Sequence, residues 1–142
     1  MNKGKSFEEL EVGMAVSIEH EVSEQDVQDF ARVSGDYNPL HMDEEFAKAT
    51  PFGGRIAHGA LTASYISAIL GNDLPGPGAI FTDLELKFRR PVRIGDKVTA
   101  VAEVQEKIER GNRVVLAVKC EVDGKAVVKG IAKVMVPGRA EG

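Results

Sequence analysis

The segment from His58 to Leu70 is apolar on nearly every side, and this restricts the folds open to the chain more than any other feature. Its polar residues are small, and their hydroxyl groups can bond back to carbonyls of their own helix; they are Thr62, Ser64 and Ser67. A helix that is apolar all round has to be buried. The sequence therefore predicts one helix at the centre of the domain, with Gly71 at its C-terminal cap.

Four strand patterns follow this helix, after a loop rich in proline and glycine. They are the alternating or β-branched runs 84–89, 98–105, 114–122 and 125–136. Gly111-Asn112 and Asp123-Gly124 are typical of two-residue hairpin turns, so we expect the last three strands to pair antiparallel. An antiparallel sheet with one long buried helix is an α+β domain, and a sheet wrapped around that helix is a hot-dog fold.

The first half of the chain has the pattern of short elements. A strand is predicted over residues 15–21. Ser23, with Asp26 three residues later, is a capping signal for an amphipathic helix over residues 24–34. Gly35 is predicted to end that helix.

Length and composition limit the possible functions. The chain has 142 residues, which fits one domain, 1–142. Its net charge of -4 argues against nucleic acid or an anionic membrane as the main partner. Cys120 is the only cysteine, so no disulfide can form within the chain. The start of the chain lacks the apolar run of a signal peptide, and no run is long enough to span a membrane, so we expect a cytoplasmic protein.

The stretch between Gly35 and His41 carries the chemical signal. Pro39 keeps Asn38 out of the α region, so residues 36–41 are predicted to form a stiff turn, which the Asn38 side chain can tie. Asp36 and His41 would then share one water molecule, as general acid–base chemistry requires. The alternative is that Asp36 only caps the turn and His41 lies on the surface. The complete string favours the catalytic interpretation, because each residue suits a tight loop that displays both groups.

This stretch resembles the signature of the (R)-specific enoyl-CoA hydratases, the MaoC-like hot-dog family. The matching positions are Phe30, Val33, Ser34, Gly35, Asp36, Asn38, Pro39, Leu40, His41 and Ala47. A second block, Ile56 to Leu61, is similar to the start of the family's central helix. The resemblance extends from about Phe7 to Pro137, which is nearly the whole chain.

The resemblance implies a reversible syn addition of water to trans-2-enoyl-CoA, giving (R)-3-hydroxyacyl-CoA. It implies that Asp36 activates the water, that His41 is its partner in delivering the proton, and that Ser67 lies near the site. Independently of the resemblance, no metal or organic cofactor beyond the CoA of the substrate is predicted, because the sequence has no metal-ligand spacing and no nucleotide-binding loop. The resemblance also implies a homodimer, and the strand pattern agrees, because apolar residues fall on both faces of the last strand: Val127 and Ile131 oppose Val128, Ala132 and Val134.

A physical argument independent of the resemblance points to Gly59 as a substrate-binding residue. Water addition builds negative charge on the thioester oxygen, and backbone N–H groups at a helix N-terminus stabilise such charge. Gly59 begins the central helix and has no side chain to block a thioester, although it could equally serve close packing. The predicted oxyanion and substrate-binding residues are Gly59, on this physical argument, Ser67, which the resemblance implies lies near the site, and Asn38 of the motif. His58 is expected to be neutral and to make a structural hydrogen bond.

Other polar groups have weaker signals. His41, Asp43 and His58 are possible metal ligands, but no HExxH spacing or cysteine pair supports a metal, and none is predicted. Asp43 is instead expected to cap a short helix over residues 44–49. A basic cluster could meet CoA phosphates, although a solvated edge is the simpler interpretation; it comprises Arg89, Arg90, Arg93 and Lys97.

Two other functions remain open at this point. A hot-dog acyl-CoA thioesterase would act on the same class of substrate, but such enzymes usually carry their acid on or near the central helix, and His58 to Leu70 contains no carboxylate. The second is a non-catalytic acyl-CoA-binding subunit. It would need neither Asp36 nor His41, and a sensor would also need an output module.

Overall fold

The computed structural model describes residues 4–138. A 3₁₀ turn at Phe7–Glu9 precedes nine further elements: β1 Ala15–Glu21, α1 Glu24–Ser34, α2 Pro39–Met42, α3 Glu44–Lys48, α4 Gly59–Asn72, β2 Ile80–Phe88, β3 Lys97–Ile108, β4 Arg113–Val122 and β5 Lys125–Met135. The ends of the predicted domain, residues 1–3 and 139–142, lie outside the described part.

The five strands form one antiparallel sheet in the order β1-β3-β4-β5-β2. Helix α4 packs against β3, β4 and β1. Its buried residues are Leu61, Thr62, Tyr65, Ile66, Ile69 and Leu70. The even-numbered residues of β3 up to the register shift after Val104 are buried: Val98, Ala100, Ala102 and Val104. The predicted α+β architecture, a sheet around a central helix, is confirmed.

The local signals of the first half are also confirmed. The Ser23 hydroxyl accepts a hydrogen bond from the Asp26 N–H, and the Asp26 carboxylate accepts one from the Ser23 N–H, each at 3.0 Å. Helix α1 therefore begins in a reciprocal capping arrangement. It ends at Gly35, whose φ of 80° is left-handed.

Three local predictions were wrong. The turn at residues 36–41 is shorter than predicted, because Pro39 starts α2 and the Asn38 side chain caps it. Gly71 does not cap α4, which continues through Asn72 to its cap at Asp73. The β3–β4 connection has four residues, since Ile108 pairs with Arg113. The Asp123-Gly124 turn is as predicted, with φ of 51° and 76°.

The sheet leaves apolar surface uncovered, but in a different place from the one the β5 pattern indicated. Val127 is buried, so only Ile131 of the predicted outer pair is exposed. The larger uncovered surface is the edge strand β2, where Ile80, Phe81, Leu84 and Phe88 are all exposed. Across residues 4–138, none of the helices has the length and apolar character needed to cross a bilayer.

The burial of α4 can be tested by substitutions on its buried and exposed sides. Ile69 is fully buried, and Ile69→Ala should lower the free energy of unfolding by about 2–5 kcal/mol, because the lost transfer energy adds to a cavity term. Ser67→Ala, on the exposed side of the same helix, should change it by no more than about 0.5 kcal/mol. Urea denaturation measures both, and equal effects would contradict this placement of α4.

Candidate active site

A chain of side-chain caps fixes the loop between α1 and α2. The Ser34 hydroxyl accepts from the Asp36 N–H at 3.1 Å, and Asp36 Oδ1 accepts from the Asn38 N–H at 3.1 Å. Asn38 Oδ1 then accepts from the Leu40 N–H at 3.0 Å. Each bond closes a local turn, so the predicted stiffness comes from consecutive caps together with Pro39. Asn38 thus has the tying role that its sequence position indicated.

His41 lies on α2 and is buried, with 9% of its surface exposed, so the alternative of a surface histidine does not hold. Its ring Nδ1 lies 2.8 Å from the carbonyl oxygen of Ile56. A carbonyl can only accept, so Nδ1 carries the proton and donates it. In the neutral ring the lone pair is then on Nε2, the nitrogen that is left for chemistry.

His58 is more deeply buried, at 1% exposure, and it makes the structural hydrogen bond predicted for it. Its Nε2–H donates to the backbone carbonyl of Asp36 at 2.9 Å. The ring lies between His41 and Phe30, with centroid distances of 4.2 and 4.9 Å. His58 thereby joins the loop between α1 and α2 to the start of α4. Its Nδ1 is buried without a hydrogen-bond partner among the described residues.

These contacts bring Asp36, His41 and His58 into one cluster. One carboxylate oxygen of Asp36 and one nitrogen of each ring lie within 4.8 Å of one another. A water bridging two groups needs about 2.8 Å to each, so one molecule can lie between Asp36 and His41. Among residues 4–138, this cluster is also the group of side chains whose spacing could hold a metal ion. It differs from the set considered from sequence, because Asp43 caps α3, accepting from the Phe46 N–H at 3.2 Å.

A cavity of about 330 Å³ opens beside His41. Apolar groups dominate its lining, and Arg89 and Arg90 lie at its polar margin; the other lining residues include Phe52, Ile56, Ala57, Gly59, Thr62, Phe88, Val92 and Val128. Asp36 is exposed and is not part of this lining, but its carboxylate lies within 4.8 Å of a ring that is. The site thus has a buried side, formed by His41 and His58, and a water-exposed side, formed by Asp36.

Gly59 is the first residue of α4 and lines the cavity. The first N–H groups of a helix have no partner within it, so they point outward as donors. A Cβ at Gly59 would lie 3.0 Å from Cε1 of Phe88. Both roles considered for this glycine therefore have a physical basis: it leaves the donors open, and it lets Phe88 approach.

Ser67 is not brought to this cluster. It lies about two turns further along α4, on an exposed face, and it does not line the cavity. Sequence reasoning also missed Ile56, whose contribution is a backbone carbonyl. The block Ile56 to Leu61 drew attention to this segment, but no side-chain type signals a carbonyl acceptor.

Cys120 is not a nucleophile for this site. Burial raises the pKa of its thiol to about 12, and the S–H lies 3.7 Å from the carbonyl of Thr62. A thiol with that pKa carries almost no thiolate at neutral pH. Covalent catalysis through this cysteine is therefore excluded.

Comparisons with known proteins agree with this geometry. Residues 8–126 match the family described as MaoC like domain. A 3-hydroxybutyryl-CoA dehydratase of Methylorubrum extorquens is 50% identical over 135 residues, covering 95% of this chain and 86% of the relative. An (R)-specific enoyl-CoA hydratase of Rhodospirillum rubrum is 47% identical over 133 residues, covering 94% and 92%. The solved structure of an unliganded R-hydratase from Pseudomonas aeruginosa superposes with a TM-score of 0.90 at 43% identity, covering 96% of this chain and 88% of that one.

The chain belongs to the MaoC-like domain family, as the motif at residues 30–47 predicted. Its hot-dog fold is shared with the R-hydratase structure.

The hydrogen bonds predict the proton positions on both rings. His41 should carry its proton on Nδ1, and His58 on Nε2, because each of these atoms faces a carbonyl. Long-range ¹H–¹⁵N spectra distinguish the two tautomers, and the chain has only three histidines to assign. His41→Gln and His58→Gln give the assignments. A His41 signal of the Nε2–H form would contradict the orientation described.

Proposed function

We propose that the protein is a hydro-lyase that reversibly adds water to trans-2-enoyl-CoA, giving (R)-3-hydroxyacyl-CoA. One observation carries the proposal: the Asp36 carboxylate and the His41 imidazole lie close enough for a single water molecule to bridge them. They lie beside an apolar cavity at the N-terminus of α4. The names of the relatives support acyl-CoA as the substrate class, since they are an (R)-specific enoyl-CoA hydratase and a 3-hydroxybutyryl-CoA dehydratase.

The mechanism assigns each group a step. Asp36 accepts a proton from the water, whose oxygen bonds to C3 of the enoyl group as the C2–C3 π electrons move toward the thioester carbonyl. The N–H groups at Gly59 stabilise the charge that develops on the thioester oxygen. The proton taken by Asp36 passes to the lone pair on Nε2 of His41 and from there to C2 on the same face, which returns both side chains to their starting protonation states. Because both groups act on one water, the overall reaction adds H and OH and leaves the enzyme unchanged.

The thioesterase alternative has less support. Helix α4 contains no carboxylate over Gly59–Asn72, and Cys120 is protonated and buried. The carboxylate near the cavity is Asp36, which is paired with an imidazole rather than isolated. A non-catalytic acyl-CoA-binding subunit would have no use for the water-sharing pair. We also propose that no metal or cofactor is required, so activity should survive treatment with a chelator.

The central test removes each member of the pair. Asp36→Asn and His41→Ala should each lower kcat by about 10²-fold or more, the usual contribution of general acid–base groups. The double variant should lose much less than the product of the two, because both groups act on one water. Crotonyl-CoA hydration with chiral product analysis measures this.

The controls separate chemistry from folding. Asp29→Asn makes the same change at an exposed position of α1 and should leave kcat unchanged. Asp36→Asn should keep the melting temperature, since Asp36 is exposed, whereas His41→Ala should lower it by opening a buried site. Near-full activity of folded Asp36→Asn would refute the assignment.

Arg89 and Arg90 are the members of the basic cluster that we propose to meet the CoA phosphates. Both line the cavity, whereas the guanidinium of Arg93 donates to the carbonyl of Phe52 at 2.6 Å and is used within the fold. Arg89→Ala and Arg90→Ala should raise KM with little change in kcat, more so at low salt, since the interaction is electrostatic. Lys97→Ala, outside the cavity, is the control. Unchanged KM in the Arg89→Ala/Arg90→Ala double variant would exclude the contact.

We propose that the protein has a cytoplasmic location, on the grounds of its acidic charge and its unpaired cysteine.

We also propose that the protein forms a homodimer through the β2 edge. β2 ends the sheet with open backbone groups and four exposed apolar side chains, and such edges are normally covered. Light scattering at micromolar concentration should give twice the chain mass. Leu84→Lys should shift it toward the monomer, whereas Val12→Lys, also exposed but outside the sheet, should not. A monomeric wild type would refute the dimer.

A further inference from the structure

Arg55 makes three side-chain hydrogen bonds although only 13% of its side chain is exposed. Its Nη1 and Nη2 donate to the two carboxylate oxygens of Glu24 at 2.6 and 2.9 Å. Its Nε donates to the backbone carbonyl of His41 at 2.6 Å. This is the bidentate geometry in which arginine–carboxylate pairs are strongest, with one more donor directed at the candidate site. These bonds lower the pKa of the Glu24 carboxyl, so the pair is ionised at neutral pH.

The positions of the partners explain what this pair can do. Glu24 is the first residue of α1, and His41 lies on α2. The segment between them carries Asp36. Arg55 therefore bridges both ends of the segment that holds the acid–base pair.

The residue after Arg55 adds two further links to the same place. The Ile56 N–H donates to the Leu40 carbonyl at 3.4 Å, and the Ile56 carbonyl accepts from Nδ1–H of His41 at 2.8 Å. Residues 55 and 56 therefore hold residues 40 and 41 at three points. The ring orientation of His41 depends on the bond from its Nδ1–H to the Ile56 carbonyl. Arg55 holds the backbone at His41 in the position where this bond can form.

We propose that Arg55, held in place by Glu24, is a positioning residue that sets the orientation of the His41 ring for the reaction. Arg55 does not line the cavity, so it acts through His41 and not on the substrate. A lysine cannot replace it, because an ammonium group lacks the planar fork that reaches a carboxylate and a carbonyl together. The effect on turnover rests on the proposed hydratase function, whereas the effect on the His41 ring does not.

The experiment uses three variants of the full chain: Arg55→Lys, the isosteric Glu24→Gln, and the exchange Glu24→Arg with Arg55→Glu. Steady-state kinetics with crotonyl-CoA, the melting temperature and the ¹⁵N signals of His41 are measured for each. Arg55→Lys should lower kcat by about 10²-fold, because small displacements of a catalytic group cost factors of that order. KM should change little, and the His41 signal should shift from the pure Nδ1–H form to a mixture of tautomers.

The exchange variant separates positioning from stability. It restores the ion pair between α1 and the segment before α4 that Glu24→Gln removes, so the melting temperature should recover relative to Glu24→Gln. A carboxylate at position 55 cannot donate to the His41 carbonyl, so kcat should stay low. Glu19→Gln, in an exposed pair whose Lys97 Nζ lies 3.9 Å from Glu19 Oε2, is the control and should change nothing.

Each result decides one claim. If the wild type hydrates crotonyl-CoA and the folded Arg55→Lys and exchange variants keep both kcat and the His41 signal, the positioning role is overturned and the proposed function stands. If activity falls only in proportion to the unfolded fraction, with the His41 signal unchanged, Arg55 is structural and the inference also fails. If the wild type hydrates no enoyl-CoA, the proposed function fails, and the His41 spectra alone decide the positioning role.

Discussion

The burial of α4 against the sheet is the constraint on which the site depends. Its apolar face cannot move without exposing core residues such as Ile66 and Ile69, so the helix start is fixed as firmly as the core. The segment before α4 is held in the same way, since the Ala57 N–H donates to the Val92 carbonyl at 2.7 Å. A loop with no core residues of its own can be stiff when it is bonded to such a segment. The loop with Asp36 is bonded to it through His58.

Backbone carbonyls orient the side chains of His41, His58 and Arg55 in this site. His41 donates to the carbonyl of Ile56, His58 donates to that of Asp36, and Arg55 donates to that of His41. Each of these acceptors is a backbone carbonyl, which every amino acid carries at that position whatever its side chain. Carbonyls also fix the tautomer of each imidazole, because they cannot donate. Neutral backbone carbonyls, and not carboxylates, therefore determine which nitrogen of each ring carries the proton.

This explains which features the sequence could predict. The start of α1 at Ser23 and its end at Gly35 depend on residues within one turn of the cap, so their signals are local. The pair Asp36 and His41 was recognisable because the residues that stiffen its loop are consecutive in the chain. Gly71 was misleading, because a glycine in the last turn of a packed helix can stay helical when tertiary contacts favour it. The burial of His41 and the partner of Arg55 depend on residues far apart in the chain, at separations that no local pattern encodes.

The two members of the pair differ in their surroundings, and the difference suits a reaction that consumes water. His41 is buried, and its ring is fixed by the Ile56 carbonyl and by contact with the ring of His58. Asp36 is exposed, on the side from which water arrives. The cavity on the other side of His41 is mainly apolar, with Phe88 at its margin and, at the same time, on the uncovered β2 edge. A second chain at that edge would cover Phe88 and close the apolar side, and the Asp36 loop, between α1 and α2, is not itself part of that edge. Closure of one side and access from the other are what the proposed chemistry needs: a low-dielectric environment for the developing thioester charge, and a supply of water to the carboxylate.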